Sequence, residues 1–509
     1  MRLTPSLASL ASLTSLTSLT SFALVVSCTG LSFAQESFVV GPRALGMGGT
    51  GVAAVDDVPA QYYNPAAFGF FAYQPPVAEQ TDKGPESVDN NKLWEKSWGV
   101  GIDATFGARI HKDFADHINV LKKYYDDGTL DRLSAAGLAG NEADALSLMD
   151  MLNALGNLSD SDNAITADAN AGLSMRIGHF GLGVRNFSQI SGRVQNVDLV
   201  NLGLGGIGDL NDQLIGITPS GSGSVLTAAQ IAQLDNNTNL SNANITKIDQ
   251  LAAQAGVTPE QTQLLVDSLV QAANGSSGGA LNTNTTAARM YGVSMIEIPL
   301  SFGWAFNENI AVGGNVKAMI GRVYGTDVLI FGDDIAGAIE RADENYQQTV
   351  TWGVDLAVMF RLPMLNLGLT TRNLNSPTFD GPTVGPIKYQ DYKIEPSATL
   401  GAAFIPVEWF TLAVDVDLTS NSTVLSDYDT QMLRFGGELN IYHFIALRGG
   451  YSYNLAEDDI GGLVHAGFGI DFWIMRIDLA GAMALETTTY DGNTVPREAR
   501  VGLQLAADF

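Results

Sequence analysis

Cysteine is almost absent: Cys28 is the single one among 509 residues, which excludes a disulfide framework. Basic residues are scarce too. Lys and Arg number 27 against 54 Asp and Glu, a net charge of −27, so nucleic acid, which is bound through positive charge, is excluded as a partner. Acidic surface loops account for the surplus. Hydrophobic residues make up 46% and charged residues only 16%, yet no mainly apolar run after residue 35 is long enough to cross a bilayer as a helix. Apolar content cut into short alternating pieces is instead what a transmembrane β-barrel shows. Chemistry is equally thin. The five histidines, His111, His117, His179, His443 and His465, have no metal-ligand spacing beyond a loose gap in one insertion. Asp160-Ser161-Asp162-Asn163 lacks the glycine and the distal glutamate of a calcium loop. No G-x-S-x-G occurs, and no nucleophile with a base and an orienting acid can be assigned. The reading is of no enzyme, with no catalytic residue, no metal and no cofactor.

The amino terminus is low in complexity. Met1 to Ala34 carries one arginine, the repetitive run SLASLASLTSLTSLTSFALVV and the small-residue end Ser32-Phe33-Ala34, and so reads as a secretory signal. Cleavage after Ala34, or a lipoprotein cut before Cys28, are the two ways it could be processed.

Residues 38 to 71, FVVGPRALGMGGTGVAAVDDVPAQYYNPAAFGFF, precede every candidate strand. Gly41, Gly46, Gly48, Gly49 and Gly51 permit close backbone approach and positive φ, and Asn64-Pro65 followed by Ala66 fixes a turn. Such a segment is compact but cannot bury itself alone. Gly46 to Gly51 also spell G-x-G-x-x-G, but no βαβ unit surrounds them, so a dinucleotide site is rejected. The pattern ALGMGG…DD…YYNPA, with Asp56 and Asp57 at its middle, resembles the amino-terminal region of FadL-type outer-membrane channels for fatty acids and hydrocarbons. That resemblance implies that residues 35–97, a plug and its linker, begin inside a barrel lumen. From Trp98 to Val194 the chain more closely resembles outer-membrane barrels labelled TraF-like after conjugal transfer.

Beyond residue 97 the period is two. Trp98, Val100, Ile102, Ala104, Phe106, Ala108 and Ile110 alternate with Gly99, Gly101, Asp103, Thr105, Gly107 and Arg109. Further strands are expected at 171–177, 180–187, 292–305, 309–322, 347–361, 364–373, 394–405, 408–419, 430–442, 443–455, 460–472, 474–486 and 498–509. The fold class is therefore an all-β transmembrane antiparallel barrel of about 14 strands over 98–509. Two mostly helical insertions interrupt it at 111–169 and 203–289. The first is expected near 113–125 and 141–158 as an insertion, not a domain. The second contains a helix from about residue 260, opened by a capping box at Thr258-Pro259-Glu260-Gln261.

Short connections alternate with longer ones, which places both barrel ends in the periplasm and both insertions outside the cell. Trp304, Phe360, Phe404, Trp409, Phe410, Tyr442, Phe444, Phe472, Trp473 and Phe509 fall at the short-turn ends as an aromatic girdle. The terminal Phe509 resembles the recognition signal of outer-membrane insertion. Polar strand faces carry both charge signs, among them Arg109, Glu297, Lys317, Asp355, Asp415, Asp417, Arg434, Glu438, Arg448, His465, Arg476, Asp478 and Arg500, and such charges can pair across strands and hold a plug. Asp415 and Asp417 on one face are no sign of acid–base catalysis.

The expectation is a bacterial outer-membrane barrel whose plug, with Gly46, Gly48, Gly49, Asp56, Asp57, Asn64, Pro65 and Ala66, gates passive transport of hydrophobic small molecules. The alternative is a non-transporting structural or interaction barrel of an envelope assembly. Expected partners are outer-membrane lipids, the assembly machinery and a hydrophobic ligand.

Overall fold

Fourteen antiparallel strands close into one barrel in the computed structural model, which describes residues 34–71, 98–136, 138, 141–160, 162–198, 201, 210–259, 261–273, 284–329, 335–472 and 475–508. The export segment before residue 34 with Cys28, the linker over 73–97, Trp473 and Phe509 lie outside the described residues. In chain order the strands are β1 (Trp98–Ile110), β2 (Ile165–Ile177), β3 (Phe180–Asn196), β4 (Ala287–Ala305), β5 (Ile310–Leu329), β6 (Gln347–Arg361) and β7 (Leu365–Arg372). They continue as β8 (Ser397–Val407), β9 (Phe410–Asp417), β10 (Met432–Ile441), β11 (Ile445–Asn454), β12 (Leu463–Asp471), β13 (Arg476–Ala484) and β14 (Glu498–Asp508). Each pairs with its chain neighbours, and β1 closes on β14 in register from Gly99 opposite Asp508 to Arg109 opposite Glu498. Closure leaves no unpaired edge, the condition for crossing lipid with strands.

Alternation sorts the two faces. On β1, Ile102 and Phe106 are exposed while Asp103, Thr105 and Arg109 are buried; on β14, Val501, Leu503 and Leu505 point out while Arg500 and Gln504 point in. An apolar outside around a polar, filled inside defines a membrane-spanning barrel. No helix among the described residues is long and apolar enough to cross a membrane.

The short turns lie at one end. Tyr442 and His443 take φ of 53° and 54° in the three-residue connection between β10 and β11, closed by the Phe444 N–H on Ile441 O at 3.0 Å, the positive-φ geometry that matches strand twist. Trp304, Phe404, Trp409, Tyr442, Phe444 and Phe472 are exposed there. Trp98, Phe180 and Phe302 join them, Phe180 and Phe302 with ring centroids 5.1 Å apart.

Several strands run further than the sequence pattern shows. β2 begins at Ile165 rather than 171, β3 continues to Asn196 rather than 187, and β4 begins at Ala287. On the β2 extension the alternation persists, with Ile165 exposed and Thr166, Asp168 and Asn170 buried, but the small outward Ala167 and Ala169 make its apolar stripe weak. The insertions are shortened accordingly.

The two insertions are not independent. Helices Phe114–Asp126, Thr129–Ala136 and Glu142–Leu158 from the first share one apolar core with helices Ala228–Asn237, Asn242–Gln254 and Thr262–Ala273 from the second. Leu148, Leu152, Leu155, Leu234, Ile248, Leu251 and Val266 are buried in it. Each insertion offers one apolar stripe that it cannot cover by itself, so together they form a helical cap domain where the first alone reads as an insertion. The helix expected from 260 begins at Thr262, and Gln261 Oε1 accepts from the Thr258 N–H at 3.0 Å. A complete capping box forms instead at Thr227 and Gln230.

Candidate functional site: the plugged lumen

The plug crosses the lumen from end to end. Ala34–Gln35 pairs in parallel with Asn421–Ser422, in the long loop between β9 and β10. Glu36 then bonds Arg109, at the loop end of β1, and accepts from Gln189 Nε2 at 2.9 Å. At the opposite end Phe71 lies under Arg176, 4.0 Å from ring centroid to guanidinium carbon, and Phe70 under Arg361 at 4.8 Å. Arg176 and Arg361 both adjoin short turns, so the amino-terminal end of the plug faces the helical cap.

One side of the plug is held by ions. Arg43 makes a two-pronged pair with Glu438 of β10 and a 2.8 Å contact with Asp56. Glu438 also accepts from Arg448 at 2.6 Å, Arg448 binds Asp478 at 2.6 Å, Asp478 binds Arg476 at 2.7 Å, and Arg476 binds Asp57 at 2.7 Å. The chain of alternating charges leaves the plug at Asp56 and returns to it at Asp57. Burial works against the charged form of Arg43, but Asp56 and Glu438 outweigh it and hold the guanidinium above its ordinary value. For Tyr63, by contrast, burial itself raises the phenol, and its hydroxyl donates to Val40 O at 3.0 Å.

Backbone groups of the plug find wall partners as well. Asp415 Oδ2 accepts from the Gly51 and Val52 N–H groups at 2.7 and 2.9 Å, a charge-assisted arrangement. Asp417 is paired with Arg434 at 2.7 Å, so these two carboxylates serve different partners. His465 Nδ1 meets Leu45 O at 2.8 Å, and Thr370 Oγ1 donates to Tyr63 O at 2.7 Å.

The glycine cluster sits where the wall comes closest. Gly48 has φ of +72°, and a Cβ there would lie 2.3 Å from Phe435 O; a Cβ on Gly46 would lie 2.9 Å from Gly467 Cα. Gly49 has φ of +87°. Plug and wall meet backbone to backbone, with glycine on both sides where Gly46 faces Gly467 and Gly48 faces Gly450. Asn64 is fully buried, donating to Val52 O at 2.8 Å and accepting from Ala66 N at 3.1 Å, so it closes the turn around Pro65 and ties it to the middle of the plug. The backbone of Pro65 and Ala66 rests on Gly313 of the wall.

The other side is apolar. Phe38, Tyr63, Phe68, Phe70 and Phe71 of the plug form one cluster with inward-facing Phe187, Val293, Met295, Met319, Val323 and Met359 of β3 to β6. The cluster continues into Phe379, Tyr389 and Val424 from the loops. Phe379 and Tyr389 lie against Gly321 and Gly325 of β5. A column of apolar side chains thus runs from the mouth to the short-turn end, filled by the chain's own aromatic residues.

Sequence reading places Gly46, Gly48, Gly49, Asp56, Asp57, Asn64, Pro65 and Ala66 in the plug, and all of them lie within the lumen. Arg43 it passes over, although an arginine inside a glycine- and alanine-rich segment is a signal that a wall carboxylate must answer it.

Fold and site together define a plugged, membrane-spanning β-barrel of 14 strands. The family described as F plasmid transfer operon, TraF, protein matches residues 90–417, and the chain belongs to that family. No match among curated proteins is found. Similar solved structures include the P. putida toluene transporter TodX, at 12% identity, covering 94% of this chain and 98% of that one, with a TM-score of 0.41. The Ralstonia pickettii toluene transporter TbuX is 12% identical, with 93% and 98% covered and a TM-score of 0.41. A Pseudomonas aeruginosa FadL homologue is 9% identical, with 94% and 99% covered and a TM-score of 0.41.

Proposed function

We propose that this protein is an outer-membrane barrel that passes small hydrophobic molecules along the apolar side of its lumen when the plug shifts. The apolar column of Phe187, Met295, Met319 and Met359 carries the reading. A plug needing only to be held in place is served by the ionic side alone, whereas a continuous apolar face across the lumen gives a hydrophobic solute a desolvated route. Aromatic side chains of the loops and plug occupy that route and would have to move. Lipids surround the outer apolar band, and the assembly machinery recognises the carboxy-terminal strand.

The second reading is a non-transporting interaction barrel of an envelope assembly such as a conjugal-transfer-related system. The backbone-level locking at Gly48 and the helical cap over the mouth favour it.

Uptake of a radiolabelled monoaromatic hydrocarbon into cells expressing the barrel separates the two. Wild type should take it up faster than Met319→Trp, which overfills the column, with both variants equally assembled by heat-modifiable gel mobility. Equal uptake in wild type, Met319→Trp and barrel-free cells would overturn the passage reading and leave the interaction barrel ahead.

A further inference from the structure

At the mouth, between the outer ends of β3 and β4 and the loops around residues 388 and 425, lies a cavity of about 260 Å³. Arg193, Arg289 and Lys388 line it and no carboxylate does, in a chain whose net charge is −27. Arg193 and Arg289 are register partners across β3 and β4, and like charges directly opposite one another destabilise a sheet pair. The countercharge serves only one of them. Arg289 pairs with Asp327 of β5 at 3.0 Å, and Lys388 is engaged by Gly381 O and by Asp391. Arg193 has no ion-pair partner among the described residues, and its Nη1 is buried without a hydrogen-bond acceptor. A half-buried guanidinium with one buried nitrogen lacking an acceptor, beside a second guanidinium and facing a cavity, is a site short of one anion.

The rest of the lining sets the kind of anion. Tyr291, Tyr389 and Val424 present ring and alkyl surface to the same cavity beside the polar Ser191, Gln195, Gln390 and Ser426, which suits an organic body that also carries polar groups. The volume is just under the roughly 300 Å³ at which drug-sized sites begin. We infer that this cavity binds a small organic acid, with its carboxylate on Arg193 and its aromatic or branched body against Tyr291, Tyr389 and Val424. The inference deepens the passage reading, on which it rests for its role, by making the solute anionic at the entrance.

Isothermal titration calorimetry on the full-length barrel purified in detergent tests it, with benzoate as the probe, benzyl alcohol as its neutral counterpart and inorganic phosphate as a headgroup control. Benzoate should bind at one site at least tenfold tighter than benzyl alcohol. Arg193→Gln should lose at least tenfold for benzoate, and Lys388→Gln, whose ammonium is already engaged, should lose less. Equal binding of benzoate and benzyl alcohol by wild type overturns the site without any variant. Unchanged benzoate binding by Arg193→Gln overturns it too, and phosphate binding in place of benzoate overturns the organic class. Benzoate binding in a barrel that passes no hydrocarbon would retain the site and remove the passage reading; hydrocarbon uptake without benzoate binding would do the reverse.

Discussion

Arg43 of the plug grips Glu438 of β10 with two parallel bonds, Nε to Oε2 and Nη2 to Oε1, both 2.9 Å. The two residues are 395 positions apart in sequence, so the contact joins the plug to the carboxy-terminal third of the chain. The same carboxylate also serves Arg448 and, through Asp478, Arg476, so the ionic side fastens the plug to β10, β11 and β13 together.

Removing the two partners should not cost the same. Glu438→Ala leaves two buried guanidiniums, Arg43 and Arg448, without their shared carboxylate, whereas Arg43→Ala leaves Glu438 still bonded to Arg448. Breaking a buried pair costs about 3–5 kcal/mol, and Glu438→Ala should stand at the upper end. The temperature at which the folded gel band is lost would show it, with Glu438→Ala falling further than Arg43→Ala. Equal falls would mean that the charge chain is not continuous.

Gly48 offers a sharper test of backbone contact. Alanine there must take φ of +72° and put a methyl group 2.3 Å from Phe435 O, while a methyl group on Gly449, one strand away, meets nothing within 4 Å. The left-handed conformation alone costs about 1–2 kcal/mol. Gly48→Ala should displace the plug and raise single-channel conductance in planar bilayers, and Gly449→Ala should behave as wild type. A Gly48→Ala barrel with wild-type conductance would show that the wall yields in place of the plug.

The strands are legible in the sequence because lipid outside and a polar lumen inside impose a period of two on residues such as Ile102, Asp103, Phe106 and Arg109. The plug is legible from its glycines and Asn64-Pro65. Which charges pair is not, since Arg43 meets Glu438 and Asp57 meets Arg476 only through the stagger of a closed barrel. The helical cap is hidden for a related reason. Leu155 and Leu251 share its core, yet β2 and β3 lie between them in the chain, and each stripe read alone is a surface helix. The ends of β2 and β3 are harder to read because small or polar outward residues, Ala167 and Ala169 on β2 and Asn186 and Ser188 on β3, weaken the apolar stripe that marks a strand.

The shared cap core predicts two separable transitions. Leu251 is fully buried among residues of both insertions, and Leu251→Ala should cost about 2–5 kcal/mol of cap stability while leaving the barrel ladder untouched. Protease added to intact cells should then cut faster between residues 210 and 273 than in wild type, with the heat-modifiable band unchanged. Loss of that band would show that cap and barrel fold as one unit.

Asn64 and Pro65 decide whether the plug is a gate. Asn64 Nδ2 holds Val52 O and its Oδ1 holds Ala66 N, so one side chain fastens the turn both to the middle of the plug and to the segment leading to Phe68 and Phe71. Pro65 fixes φ and removes a donor, and its carbonyl lies against Gly313 and Gly303. The double variant Asn64→Ala with Pro65→Ala changes no strand residue, gives up, of the bonds to the wall, only the long 3.4 Å one from Asn64 Nδ2 to Val358 O, and leaves Arg43, Asp56 and Asp57 in their ion pairs. Assembly and heat-modifiable mobility should therefore match wild type, while the short-turn half of the plug, no longer fastened, should swing away from β4 and β5. Conductance should rise and uptake of small hydrophobic dyes through the outer membrane should increase, and restoring Asn64 alone should recover most of the seal. A normally assembled double variant with unchanged permeability would show that the ionic side holds the whole plug without this turn, and the gate would have to be sought at the loops that fill the mouth.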